Sequence, residues 1–230
     1  MKKVLITGSN SGIGLATTKL FLENSYFVIA HYNSSKSNLD KLRNANLQLV
    51  KANFTNIDEV KTLASNLTEV DILINNAGYY HNEDISELEN IDIATNVNIK
   101  APLLLSNSVI PNMQKNQFGR IINISSIGVK YGGNIKTLHY TMSKASLEIM
   151  TIALAKKFAK DNILINSLRV GITDTDIHKF NKGKNMDNRI KLIPLERMAE
   201  PKEIAEMILF LSSDKSSFAT GSTITISGGE

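Results

Sequence analysis

Seven short apolar runs, separated by helical or loop-like stretches, constrain this chain more than any other feature. They are Lys3–Thr7, Tyr26–Tyr32, Leu47–Lys51, Ile72–Asn75, Arg120–Ile124, Ile163–Leu168 and Thr223–Ile226. A strand exposed on one face alternates polar and apolar residues; one buried on both faces does not, and several of these runs are almost continuously apolar. Such strands, spaced by helices, build parallel βαβ units. The predicted fold is α/β: a doubly wound, Rossmann-type, mostly parallel seven-stranded sheet with helices on both faces, one domain over 1–230. Ligands in such sheets bind beyond the C-terminal strand ends, at the switch point.

The intervening segments read as helices. Residues 87–114 are expected to hold one long helix, bent or shortened by Pro102 and Pro111. A second covers Thr137–Lys160. A third, Pro201–Ser212, opens on proline with acids in its first turn. The least patterned stretch, Asp174–Arg197, follows the sixth strand and is expected to act as a substrate lid.

Composition removes several function classes. The chain of 230 residues, 42% of them hydrophobic, can bury a sizeable core without staples. It has no cysteine, which excludes disulfides, thiolate catalysis and cysteine-held metals. The apolar run before Gly8 is too short for a secretion signal, and no stretch approaches the ~18 apolar residues of a membrane span. A cytoplasmic protein is expected, with no membrane partner. The net charge is +4. The densest basic cluster, Lys156-Lys157-Lys160, suits a solvated helix face, so no nucleic-acid partner is expected. The four histidines lack ligand spacing, so no catalytic metal is expected. No Gly-x-Ser-x-Gly elbow supports a hydrolase.

Thr7-Gly8-Ser9-Asn10-Ser11-Gly12-Ile13-Gly14 joins the first strand to the first helix. Glycines there allow a tight turn and close approach to a diphosphate, and the helix N-terminus offers free N–H groups. The loop after the second strand, Ala30-His31-Tyr32-Asn33-Ser34-Ser35-Lys36, should meet the adenosine ribose. It has no acid to accept from a 2′-hydroxyl, which favours NADP(H) over the alternative, NAD(H).

Tyr140-Thr141-Met142-Ser143-Lys144 falls within a predicted helix, where i,i+4 spacing puts Tyr140 and Lys144 on one face. A free tyrosine is too weak a base near neutrality, and a nearby ammonium should lower its pKa. Tyr140 then fits a general acid/base. The spacing alone is weak: Tyr32-Asn33-Ser34-Ser35-Lys36 repeats it, but just past a strand, where no helix stacks the pair. Ser125-Ser126 ends the fifth strand and directs a hydroxyl into the crevice. Asn98, by residue type alone, reads as a solvated helix residue. His139 is turned about 100° from Tyr140 and is set aside as a base.

Taken in order, these motifs resemble the short-chain dehydrogenase/reductase family over essentially the whole chain. The nearest likeness is to bacterial 3-oxoacyl-carrier-protein reductases and related alcohol dehydrogenases. The matches are Thr7–Gly14, Asn75-Asn76-Ala77-Gly78, Asn98-Ile99-Lys100-Ala101, Asn123-Ile124-Ser125-Ser126, Tyr140 with Lys144, Asn166, Gly171, Thr175, Arg197–Pro201 and Ser227-Gly228-Gly229.

The resemblance implies a tetrad. Tyr140 is the acid/base, Ser126 orients the substrate oxygen, and Lys144 lowers the tyrosine pKa and binds ribose. Asn98 holds a water joining Lys144 to solvent. It further implies a cofactor site drawn from Gly8, Asn10, Ser11, Gly12, Ile13 and Gly14, then Tyr32, Asn33 and Ser34. Asn53 and Phe54 would serve adenine, Asn75, Ala77 and Gly78 the adenosine and ribose side, and Gly171, Thr173 and Thr175 the nicotinamide side. It also implies homo-oligomers, tetramers or dimers, built on the two long helices. The departures are Ser11 for a frequent basic residue, Asn53 for an aspartate, Val170 for a proline and Ser227 for an aspartate. A hydride-transferring oxidoreductase acting on a carbonyl or alcohol, with a 3-oxoacyl thioester as one candidate, is expected. A catalytically silent dinucleotide sensor or scaffold is the alternative.

Overall fold

The computed structural model describes residues 1–82, 90–175 and 186–230. Seven strands form one wholly parallel sheet: β1 (Lys3–Ile6), β2 (Phe27–Tyr32), β3 (Leu47–Lys51), β4 (Ile72–Asn75), β5 (Gly119–Ser126), β6 (Ile163–Val170) and β7 (Thr223–Ile226). Their order is β3-β2-β1-β4-β5-β6-β7, so the winding reverses between β1 and β4. The predicted architecture is the one observed.

Alternate strand residues feed two cores. Leu5, Ile29, Leu73, Ile121 and Ile165 face one side, together with residues of α2 (Ile57–Ser65), α4 (Ala101–Asn116) and α6 (Leu138–Phe158). Val4, Ile6, Val28, Ile72, Ile74 and Ile122 face the other, against α1 (Gly12–Glu23) and α8 (Pro201–Ser212). Both faces are dry, which is why the strands lack alternation.

Two strands run further than their apolar pattern suggests. β5 continues through Ser126 and β6 through Val170, which pair with each other in register. Valine in place of proline keeps the backbone N–H and lets β6 run on; Val170 also pairs with Ile226 of β7.

The expected long helix over 87–114 runs on without a break through its described part, but not as a regular α-helix. A short α3 (Ile91–Thr95) passes into a π turn over Asn96–Lys100, and α4 then starts at Ala101. Pro102 follows directly on the π turn, in the first turn of α4. Pro111 is tolerated inside the helix. Two further helices are short: α5 (Gly128–Tyr131) and α7 (Met186–Ile190). Among the described residues no helix is long and apolar enough to cross a membrane.

Candidate active site

At the switch point the loops after β1 and β4 are locked together. The Thr7 hydroxyl donates to the Ile74 carbonyl (3.1 Å) and accepts from the amides of Asn76 and Ala77 (2.9 Å each). Asn76 Nδ2 donates to the carbonyls of Thr7 (2.8 Å) and Gly8 (3.2 Å). Gly8 and Gly12 both have positive φ, at 67° and 51°. A Cβ on Gly14 would stand 2.1 Å from the Gly8 oxygen, and one on Gly12 2.9 Å from Thr175 Cγ2. The glycines are therefore required by sterics.

The N-terminus of α1 has neither a side-chain cap nor an acid in its first turn, whereas α2 has both, Asn56 and the pair Asp58 and Glu59. First-turn N–H groups lack intrahelical partners, and here they face a cleft lined by Gly8, Ser11, Gly12 and Ile13. That is the arrangement an anion needs.

The cleft measures about 910 Å³. At its far end Asn33, Asn53 and Phe54 line it, and so does His31, to which no role was given from sequence. Asn53 Oδ1 accepts from the Thr55 amide (3.1 Å) and hydroxyl (2.9 Å). Tyr32 and Ser34 do not line the cleft. Lys36 pairs with Asp40 at 3.3 Å rather than meeting Tyr32, so the repeated tyrosine–lysine spacing brings nothing together.

Two expected cofactor contacts are engaged elsewhere. Asn10 Oδ1 accepts from the amides of Asn38 (3.0 Å) and Leu39 (3.4 Å), which turns it away from the cleft. Asn75, the last residue of β4, points into the layer beneath the cleft, where Nδ2 donates to Asn123 Oδ1 at 2.8 Å. Its neighbour Asn76 holds the loop instead.

The reactive end is organised by α6. One stripe of that helix is tied to β5 at three successive turns. Lys144 Nζ donates to the Ile124 carbonyl (2.8 Å), and the Ser125 hydroxyl donates to Glu148 Oε1 (2.7 Å). Asn123 Nδ2 donates to the Thr151 hydroxyl (2.8 Å). Positions 144, 148 and 151 share one helix face, and Tyr140, one turn earlier, extends it over the end of β5. Glu148 is also held by Arg169 of β6 through Nε (3.0 Å) and Nη2 (2.6 Å). This forked ion pair sets the rotation of α6 against the sheet.

Ser126 and Tyr140 line the same cleft, close enough for the serine hydroxyl to act on the Tyr140 pKa, and the Ser126 oxygen accepts from the Gly128 amide at 3.2 Å. The Tyr80 ring meets Tyr140 edge-on at 4.8 Å. Lys144 Nζ lies 5.8 Å from the Tyr140 ring centroid. A Cβ on Gly78 would sit 3.3 Å from that nitrogen, a tight approach that would press on the lysine by a few tenths of an ångström.

Electrostatically, the expectation that Lys144 lowers the Tyr140 pKa needs correction. Burial dominates both groups. It pushes Tyr140 up to about 12, against the opposing effect of the nearby Ser126 hydroxyl, and it brings Lys144 down to about 8. A dry site disfavours phenolate and ammonium alike.

Asn98 is fully buried, not solvated. The π turn aims its amide at the loop after β4: Oδ1 accepts from the Tyr79 amide (2.8 Å), and Nδ2 donates to the Tyr79 carbonyl (2.9 Å) and to Ser143 Oγ (2.9 Å). Asn98 clamps Tyr79 and, through it, the adjacent Gly78.

Ala77, Gly78, Gly171, Thr173 and Thr175 all line the cleft. A Cβ on Gly171 would be 2.7 Å from Ser227 Cα, so β6 and the chain end approach closely there. Of the expected lid, residues 176–185 lie outside the described residues. The rest is tied to the chain end by the Leu195 amide donating to the Gly228 carbonyl (3.1 Å) and by an ion pair of Arg189 with Glu230. Both charged residues line the cleft, a feature the sequence did not suggest.

The family model described as Enoyl-(Acyl carrier protein) reductase matches residues 8–230. The 3-oxoacyl-[acyl-carrier-protein] reductase FabG of Thermotoga maritima is 36% identical over 240 residues, covering 99% of this chain and 97% of that protein. A solved structure of 4-hydroxyisoleucine dehydrogenase complexed with NADH superposes with a TM-score of 0.91 at 31% identity, covering 100% of this chain and 98% of the other. A 3-oxoacyl (acyl-carrier-protein) reductase from Agrobacterium tumefaciens with NADP bound gives 0.91 at 26%, covering 100% and 94%.

Proposed function

Because this chain belongs to the short-chain dehydrogenase/reductase family of oxidoreductases, we propose that it reduces a carbonyl substrate with Tyr140 as the proton donor. The observation that carries this reading is the meeting of Ser126, Tyr140 and Lys144 in one cleft, with Lys144 buried against the end of β5. Two hydroxyls converging on one point suit one substrate oxygen. A nicotinamide dinucleotide, when bound, supplies the hydride. The uncapped N-terminus of α1 would hold its diphosphate, Asn33 its adenosine ribose, Lys144 its other ribose, and Thr173 and Thr175 the nicotinamide side. Ser126 and Tyr140 donate hydrogen bonds to the carbonyl oxygen. As that oxygen becomes anionic, the Tyr140 proton moves to it, and the Lys144 ammonium stabilises the phenolate left behind. With its pKa near 12, Tyr140 stays protonated at neutral pH, the form that reduction uses.

The two 3-oxoacyl-carrier-protein reductases among these relatives support a 3-oxoacyl thioester as the substrate class. NADPH or NADH oxidation against a carbonyl panel containing an acetoacetyl thioester tests it. Thioester turnover supports the class; turnover of a different carbonyl alone moves the substrate and keeps the chemistry. Binding of dinucleotide with no turnover across the panel would turn the reading to a silent sensor. NADPH is expected to bind roughly tenfold more tightly than NADH, since no acid follows β2 and one charge-assisted hydrogen bond is worth about that much. Tighter NADH binding in a fluorescence titration would overturn the preference.

The two long helices support self-association. Met142 and Ile149, seven residues apart on one face of α6, are 56% and 68% exposed, and Leu103 of α4 is 48% exposed. We expect a solution mass two or four times the 25.4 kDa of one chain, and Ile149→Lys should reduce it. Light scattering after size exclusion decides; a monomer at micromolar concentration would refute it.

A further inference from the structure

We propose that His31 is a positioning residue for the dinucleotide, a neutral crosspiece that presets the distance between the glycine loop and the segment after β3. The assignment rests on the dinucleotide reading above. β2 lies between β3 and β1 in the sheet, and His31 is its penultimate residue. The side chain spans the C-terminal edge of all three strands. On one side the Gly8 amide donates to Nδ1 at 3.1 Å. On the other, Nε2 lies 2.9 Å from the Ala52 carbonyl, just past β3.

A carbonyl only accepts, so Nε2 must carry the proton and Nδ1 must be bare. One tautomer of the neutral ring satisfies both partners. Burial holds it neutral, with the pKa brought down to about 4. The Phe54 ring stacks on it with centroids 4.0 Å apart and planes 11° from parallel. The main chain adds to the fixation, since the His31 carbonyl accepts from the Ser9 amide at 2.8 Å. His31 thus takes two successive N–H groups of the glycine loop, which leaves diphosphate binding to later amides and the start of α1. Through Ala52 it also fixes the approach to Asn53 and Phe54. A site set before binding loses less freedom when the ligand arrives.

The test compares His31→Leu, His31→Asn and His31→Gln with the native protein. NADPH and NADH dissociation constants, kcat at saturating cofactor and Tm are measured for each. Asparagine can place an acceptor near Nδ1 but cannot reach Ala52. Glutamine can place a donor near Nε2 but leaves Gly8 without an acceptor. His31→Leu is expected to raise the dissociation constant about tenfold or more, as loss of a buried acceptor does, while kcat at saturation changes less than about threefold. His31→Asn should recover most of that affinity even if its Tm stays low. Unchanged affinity in His31→Leu overturns the proposal. So does equal weakening of the leucine and asparagine variants in step with Tm, which is what a merely structural role predicts. If His31→Leu does not fold, the remaining pair decides: tighter binding by asparagine than by glutamine supports the assignment, and the reverse order refutes it. A native protein that binds neither dinucleotide fails at the earlier reading and takes this one with it.

Discussion

Tyr140→Phe is expected to lower kcat for carbonyl reduction by about 10³-fold, the range lost when a positioned general acid is removed. Phenylalanine keeps the ring and therefore the edge-on contact with Tyr80 at 4.8 Å. It removes only the hydroxyl, the proposed proton donor. Ser126 retains the Gly128 amide, so no buried group is stranded. The dissociation constant for dinucleotide and the Tm should move little. A variant whose kcat stays within tenfold of the native value would remove Tyr140 from the chemistry.

Lys144→Met is expected to raise stability and, like Tyr140→Phe, to lower activity. Lys144 is 3% exposed, and burial lowers its pKa from 10.5 to about 8. A lysine whose folded pKa lies below its unfolded one costs stability while it is protonated in both states. That cost is full below pH 8, shrinks between about 8 and 10.5, and vanishes above. Its size is roughly 3 kcal/mol by linkage. Methionine fits the space without a charge, although the Ile124 carbonyl then loses its donor, an offset of about 1 kcal/mol. The net gain of about 2 kcal/mol should raise Tm by roughly 4–8 °C at pH 7 in a domain of this size. The gain should fade as pH climbs from 8 towards 10.5. Turnover should fall about 10²-fold or more because the phenolate formed on Tyr140 loses its counter-charge. Thermal melts at pH 7 and 10, with kcat at pH 7, decide. A lower Tm at pH 7 would mean that the buried lysine stabilises the fold.

Strands were legible because burial on both faces writes itself as unbroken apolar sequence. The ends of β5 and β6 were not, because Ser125, Ser126 and Arg169 are polar and their strand character depends on neighbours in register. Tyr140 and Lys144 were legible from spacing plus a helix, as was Ser126 from its place at a strand end. Asn98 misled as a residue type, since its burial depends on a π turn that no local periodicity announces. Asn75 and Asn76 show the opposite failure: the motif was visible, but which of two adjacent amides faces the cleft depends on where β4 ends. The sign of the Tyr140 shift was unreadable because sequence reveals a neighbouring charge without revealing how dry the site is. His31 escaped notice because its two partners are backbone atoms, which carry no residue signature.

The π turn at Asn96–Lys100 carries a consequence for how this stretch tolerates change. A π turn holds one residue more than the α-helical turn it replaces. Each residue in a helix corresponds to about 100° of rotation. The extra residue therefore sets the angular phase between α3 and α4, and with it the direction of the Asn98 amide. Side chains on the outer face of the turn, such as half-exposed Ile99 and exposed Lys100, are replaceable at little cost to that phase. The number of residues is not: here the helix is constrained by count more than by composition.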